Sequence, residues 1–340
     1  MLPTSLPLLT AGLLWFGNLH PALAAPADTA VDALYVVGRD ESSAKTMNPR
    51  LNRNFPDPTL IQADDGIWYS FATSGNGKNI QVAKATEISG SWEWLEDDAL
   101  PDGGWSTEDN TWAPDVRRLN NGSYIMYYAG EVRDGGGRHC IGAAVASKVE
   151  GPYSPTREPW VCPFAQGGAI DAAGFYDEGS KKRYVLYKVD GNDIGNGGDC
   201  NNGVKPIQPT PIMLQEVEAD GIAKRGDPVK ILDRTDEDGP LVEAPDLVRT
   251  DDGLYILFFS SFCFNSDKYN VNYATSRDIK GPYRRPSRKL LQTGDFNLTA
   301  PGGATSVLGG GQMLFHGDCD EGRCLYQTQY IVTGRDVIIN

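Results

Sequence analysis

Five short stretches open alike: FPDPTLI (55–61), WAPDVRRL (112–119), AIDAAGFY (169–176), EAPDLVR (243–249) and APGGATSV (300–307). Each leads through a turn into an aromatic run: DDGIWYSFATS (64–74), NNGSYIMYYAG (120–130), EGSKKRYVLYKVD (178–190), DDGLYILFFSS (251–261) and GGGQMLFHGD (309–318). The Asp-Gly and Asn-Gly pairs are hairpin-turn signals, and the runs after them are rich in strand formers. A third strand follows in several units, as in IQVAKATEISGSWEW (80–94) and VNYATSRDIKGPYRR (271–285). With Asp57, Asp115, Asp171, Asp246 and Gly302 as markers, the units follow at steps of 58, 56, 75 and 56 residues. The long third step holds a Gly- and Asn-rich insertion at 191–208. A unit of this length with three or four short strands has the size of one propeller blade. A β-sandwich would not repeat its strands as a block with one opening motif. The expected fold is therefore all-β, a five-bladed β-propeller forming one domain over 52–340 behind a lead-in segment at 25–51.

Length alone would suggest two domains for 340 residues, and the repeat reduces this to one. Gly (39) and Pro (22) make up about 18% of the chain, against an average near 12%. The surplus is blade punctuation. With 31 basic and 45 acidic residues the net charge is −14. An acidic chain repels phosphate backbones, which excludes nucleic acid as a partner and a basic membrane-surface role with it. The apolar run Leu2 to Phe16 ends near Pro21-Ala22-Leu23-Ala24, the pattern of a secretory signal peptide over 1–24. It is too short for a membrane anchor, and no later segment approaches about 18 apolar residues. A secreted, extracellular monomer is expected.

The six cysteines (140, 162, 200, 263, 319 and 324) lie beyond that leader. An even count in an oxidising compartment suggests three disulfides, of which the sequence singles out one, Cys319–Cys324 across a hairpin tip. A zinc site is the rival reading, but no C-x-x-C spacing or histidine cluster supports it. Asn121-Gly-Ser and Asn297-Leu-Thr are glycosylation acceptors consistent with export.

In a propeller the innermost strands start beside the central channel, so chemistry is expected where the repeat is broken. Asp115 and Asp246 recur in the opening motif and read as structural, accepting backbone N–H bonds at a turn. Glu243 is different: it stands three residues ahead of Asp246, in the place of Asn54 and Trp112. Asp171 sits among small and apolar neighbours, and Asp57 lies between two prolines. Three carboxyls on blades 1, 3 and 4 would converge on one pocket. Such a trio suits glycosidic cleavage: one carboxylate activates water, a second donates a proton to the leaving oxygen, and a third raises the donor's pKa. Trp112 and Phe55 at blade starts are candidates for a sugar-stacking wall, with inter-blade packing as the other reading of Phe55.

At these residues the chain resembles the family 43 glycoside hydrolases, the arabinanase and β-xylosidase group of five-bladed propellers. Phe55-Pro56-Asp57-Pro58 is similar to the motif carrying that family's general base. Ile170-Asp171-Ala-Ala-Gly-Phe resembles the motif of the pKa-modulating aspartate, and Val242-Glu243-Ala-Pro-Asp246 that of the general acid. Trp112-Ala-Pro-Asp-Val resembles the second-blade stretch whose Trp borders the glycone subsite. The resemblance implies an inverting hydrolase of arabinose- or xylose-containing plant polysaccharide, with base and acid about 6.5–9.5 Å apart to admit water. It also implies a calcium or sodium ion in the channel near a fifth-blade histidine, with waters completing its shell. The family's Gly-Pro-Gly-His is here Ala300-Pro301-Gly302-Gly303, which leaves His316 as the candidate for that metal.

Two other function classes compete. A sugar-binding propeller without activity would not need all three acids. A fructan-cleaving propeller would carry Asn-Asp-Pro-Asn, Arg-Asp-Pro and Glu-Cys motifs, and none occurs. Within the enzyme reading, the insertion at 191–208 is expected on the pocket face, where a loop that blocks one end of the cleft favours exo attack. The sequence reading therefore leans to α-L-arabinofuranosidase, with endo-1,5-α-L-arabinanase or β-xylosidase as alternatives.

Overall fold

The turn signals close hairpins throughout, and the strands they join form five four-stranded antiparallel sheets in the computed structural model, which describes residues 46–340. The signal-peptide reading and most of the lead-in segment lie outside the described residues. Blade 1 holds β1 (Ile61–Gln62), β2 (Trp68–Ala72), β3 (Gln81–Ala85) and β4 (Glu93–Trp94). Blade 2 holds β5 (Trp112–Arg118), β6 (Tyr124–Glu131), β7 (His139–Ala146) and β8 (Ser154–Pro155). Blade 3 holds β9 (Ala169–Asp177), β10 (Lys182–Val189), β11 (Ile212–Val217) and β12 (Lys224–Leu232). Blade 4 holds β13 (Val242–Arg249), β14 (Tyr255–Ser261), β15 (Asn270–Ser276) and β16 (Leu291–Gln292). Blade 5 holds β17 (Gly302–Ser306), β18 (Gln312–Cys319), β19 (Gly322–Thr333) and β20 (Asp336–Ile339). Strands pair in sequence order within each blade. The five-bladed β-propeller is therefore present, and no helix among the described residues is long and apolar enough to cross a membrane.

The aromatic runs read as nearly continuous apolar segments because each sheet is covered on both faces. Along β6, Met126 and Tyr128 pack towards blade 1 with Phe71 and Val82. Ile125 and Tyr127 pack towards blade 3 with Val185 and Tyr187. The same alternation builds a core between blades 3 and 4 (Phe175, Leu186, Leu257, Phe259) and one between blades 4 and 5 (Phe258, Tyr273, Phe315, Tyr326). Blades 5 and 1 meet around Phe55, Leu60, Ala72, Leu314 and Leu325. The ring closes there through backbone bonds, Phe55 N–H to the Arg323 carbonyl at 2.8 Å and a bridge between Leu51 and Leu325. Phe55 is fully buried in this seam. The expectation that it lines a sugar site is corrected: a ring that closes the propeller cannot also face a ligand.

The register corrects the repeat alignment as well. In blades 2 to 5 the inner strand carries a β-bulge, two residues opposed by one, which bends the strand where it meets the channel, and the backbone bonds just ahead of β1 repeat this spacing in blade 1. In blades 2 to 5 the paired residues flanking the bulge are Trp112 and Asp115, Ile170 and Ala173, Glu243 and Asp246, and Gly302 and Thr305. In blade 1 they are Pro56 and Thr59. The first bulged residues are thus Asp57, Ala113, Asp171, Ala244 and Gly303, and all five have positive φ, between 42° and 58°. Asp57 and Asp171 are therefore equivalents of each other but not of Asp115 and Asp246, which lie two residues further in. Glu243 shares its place with Trp112, as expected, but with Pro56 rather than Asn54.

Cys319 and Cys324 are bonded, as the hairpin spacing suggests, and the other pairs are Cys140–Cys162 and Cys200–Cys263.

Candidate active site

The bulges bring the three singled-out carboxyls to one mouth of the channel. Asp57, Asp171 and Glu243 all line a cavity of about 500 Å³, together with Trp112, His139, Lys188, Asp190, Tyr269 and Arg323. Each carboxyl has a different environment, and the differences define what each can do.

Asp57 is held at both oxygens. Thr73 Oγ1 donates to Oδ2 at 2.6 Å, and the Arg323 guanidinium lies 3.3 Å from Oδ1. Burial by itself would raise its pKa, but the Arg323 guanidinium and the Thr73 hydroxyl outweigh it and hold Asp57 below the ordinary value of 3.8. It is a carboxylate at neutral pH. Thr73 Oγ1 also accepts the Ala113 N–H at 2.9 Å, so the blade 2 bulge fixes the hydroxyl that holds Asp57.

Asp171 is the opposite case. Its pKa is pushed well above 3.8, by burial first and then by the neighbouring charge of Glu243, with Lys188 and the Ala244 N–H pulling the other way. That N–H donates to Asp171 Oδ2 at 2.8 Å and ties the aspartate to the backbone next to Glu243. Glu243 receives the Lys188 ammonium at 2.9 Å on Oε2 and the Tyr269 hydroxyl at 2.8 Å on Oε1. Lys188 is fully buried and also contacts Asp190 at 3.0 Å. Burial would lower its pKa, but Asp190, Glu243 and Asp171 more than reverse this, so it stays charged. Tyr269 reaches Glu243 by lying across blade 5, where a Cβ on Gly302 would come within 2.0 Å of its ring. Glycine at that place is a steric requirement.

Trp112 stands at the mouth with its indole stacked on His139, centroids 3.5 Å apart at 18°. His139 Nε2 bonds the Asn110 carbonyl at 2.8 Å, which backs the stack. Two residues further in, Asp115 and Asp246 share Arg117 at 2.8 and 3.2 Å. They also accept the backbone N–H groups of Gly174 and Ser306, at 2.7 and 2.8 Å. They bind blade to blade beneath the cavity.

His316 is fully buried and stacked on Tyr269. Its Nδ1 accepts the Asp57 backbone N–H at 3.0 Å. Burial, reinforced by Arg323, pushes its pKa down to about 3, so the ring is neutral with its one proton on Nε2. Nε2 has no hydrogen-bond partner among the described residues. A ring whose lone pair is engaged at Nδ1 and whose proton sits on Nε2 presents a donor rather than a metal ligand. Among the described residues no group of three or more His, Cys, Asp or Glu side chains is arranged to hold a metal. In this tautomer His316 holds the Asp57 backbone through Nδ1 rather than a cation.

Sequence reasoning missed Lys188, Tyr269, Arg323 and Thr73. Lys188 had a signal, a lone cation inside the apolar run YVLYKV, and Arg323 had one in its place beside the Cys319–Cys324 staple. Tyr269 and Thr73 had none.

The family that the five-bladed chain matches makes it a glycoside hydrolase. It belongs to the glycosyl hydrolases family 43, whose family model matches residues 46–340. A probable arabinan endo-1,5-α-L-arabinosidase C of Aspergillus flavus is 26% identical over 280 residues, covering 76% of this chain and 81% of that protein. An extracellular endo-α-(1→5)-L-arabinanase of Thermotoga petrophila is 26% identical over 262 residues, covering 69% of this chain and 52% of that protein. Among solved structures, a thermostable family-43 glycoside hydrolase superposes with a TM-score of 0.72 at 22% identity, covering 87% of this chain and 96% of that one. An endo-arabinase from Bacteroides thetaiotaomicron does so with 0.66 at 19% identity, covering 86% and all of that chain.

Proposed function

We propose that the protein is a secreted, monomeric endo-1,5-α-L-arabinanase that cleaves plant arabinan with inversion. The observation that carries the mechanism is the contrast within one cavity between Asp57, held ionised by Arg323, and Asp171, pushed towards its protonated form beside Glu243. Asp57 takes a proton from water and directs the oxygen at the anomeric carbon. Glu243 delivers a proton to the departing sugar oxygen, beside Asp171, which burial and the Glu243 charge push towards its protonated form. Lys188 and Tyr269 then stabilise the carboxylate left on Glu243. Trp112 offers the face on which the sugar entering the cavity rests.

The substrate reading replaces the lean towards α-L-arabinofuranosidase. Relatives matching over two thirds or more of this chain carry the endo-acting name, and this supports the arabinan backbone over terminal arabinose. Secretion is supported by the three disulfides and by the extracellular names of bacterial relatives. Product analysis on linear 1,5-α-arabinan, with xylan as control, tests the reading. A ladder of arabino-oligosaccharides is the expected first product. Arabinose alone from the start, or turnover of xylan only, would contradict it.

A further inference from the structure

One wall of the cavity is built by segments that take no part in the chemistry above. The blade 3 insertion supplies Asn192, Asp193 and Asn201, and the β14–β15 connection supplies Phe264. The Cys200–Cys263 bridge joins these two segments covalently, and Cys200 itself faces the cavity. The insertion is braced from behind, since the buried Asn202 donates to the carbonyls of Gln208 at 3.0 Å and Pro240 at 2.7 Å. Asn201 likewise donates to the carbonyls of Asn192 and Asp193, both at 3.0 Å. Phe264 follows the bridge directly and keeps 46% of its surface exposed. It lies 5.2 Å from the guanidinium of Arg323, the residue that holds Asp57.

The wall rises from blades 3 and 4, whose strands carry Lys188 and Glu243, whereas Trp112 belongs to blade 2. The oxygen that takes a proton from Glu243 belongs to the departing sugar, so that sugar lies on the Glu243 side of the cavity. We infer that Phe264, fixed by the Cys200–Cys263 bridge, is the platform for the first sugar on the leaving-group side, and that it sets the enzyme's preference for chains continuing past the scissile bond. This deepens the arabinanase reading and rests on it. A pentofuranose presents a C–H face that an aromatic ring can cover, and the rigid wall reduces the ordering cost of binding.

The test compares F264A and F264Y with the wild type on α-1,5-arabinotriose, with inhibition by free L-arabinose reporting the glycone side. Loss of an aromatic contact worth about 0.5–1.5 kcal/mol corresponds to a rise in KM of about 2- to 12-fold. F264A is expected to show that rise with kcat retained and arabinose inhibition unchanged, and F264Y to restore the wild-type KM. An unchanged KM in F264A, or arabinose inhibition weakened in parallel, would overturn the assignment while leaving the arabinanase reading intact. A wild-type enzyme inert on arabinotriose and longer arabino-oligosaccharides would overturn both.

Discussion

A single carboxyl in this protein has no fixed role until its neighbours are counted. Asp57 and Asp171 occupy the same bulge position in their blades and the same backbone conformation, with φ of 55° and 56°. Arg323 and Thr73 lower one, while burial and Glu243 raise the other. kcat/KM is accordingly expected to be bell-shaped in pH. The acid limb follows deprotonation of Asp57, and the alkaline limb follows loss of the proton that burial and the Glu243 charge keep on Asp171. Arg323→Met removes a charge that favours the carboxylate, so the acid limb should move to higher pH, and a pH–rate profile with an unmoved limb would deny Arg323 that role. Asp57→Asn and Glu243→Gln should each lower kcat/KM by about 10²–10⁴-fold. Activity equal to wild type in either variant would remove it from the mechanism. Glu243 and Asp171 were legible because they depart from the repeat, and Asp57 because two prolines flank it. Their partners Tyr269 and Thr73 were not, because an ordinary strand or loop residue carries no mark of what it will face across 26 or 16 positions of sequence.

At the scale of the element, the bulge and the disulfide do the positioning. The opening motifs disclosed the five inner strands, but an alignment on Pro-Asp could not show that each strand gains one residue at the channel. That extra residue is a matter of hydrogen-bond register, which residue identities do not report. It is why Asp57 and Asp246 looked equivalent and are not. The three disulfides also share a location that spacing did not disclose. Cys140 follows His139, Cys263 precedes Phe264, and Cys324 follows Arg323, all three being residues of the cavity. The bridges therefore stiffen the mouth more than the core. The double variant Cys200→Ser/Cys263→Ser is expected to raise KM for arabino-oligosaccharides several-fold while far-UV circular dichroism stays that of the wild type. Loss of the strand signal at 25 °C would instead make this bridge a requirement of the fold.

Across the whole molecule, five inter-blade cores and one charged cluster hold the ring. Arg117 bridges Asp115 and Asp246 and also donates to the Gly174 carbonyl at 2.7 Å, so it touches blades 3 and 4 from blade 2. Arg117→Met would leave two buried carboxyls facing each other, and a loss of about 3–5 kcal/mol of stability is expected in denaturant titration. Burial, opposed by Arg117 and assisted by Asp115, raises Asp246 from 3.8 to about 7. The folded state thus retains a proton that the unfolded chain has released. This contribution is full below the unfolded value and fades as pH rises through the folded one. The melting temperature should fall across that window in the wild type and less so in Asp246→Asn, and parallel curves would contradict the assignment. The account as a whole turns on water attacking from the Asp57 side as the bond to the Glu243 side breaks. Proton NMR during the first turnovers on linear 1,5-α-arabinan tests this most directly. New reducing ends should appear first as the β-anomer, and their first appearance as the α-anomer would contradict it.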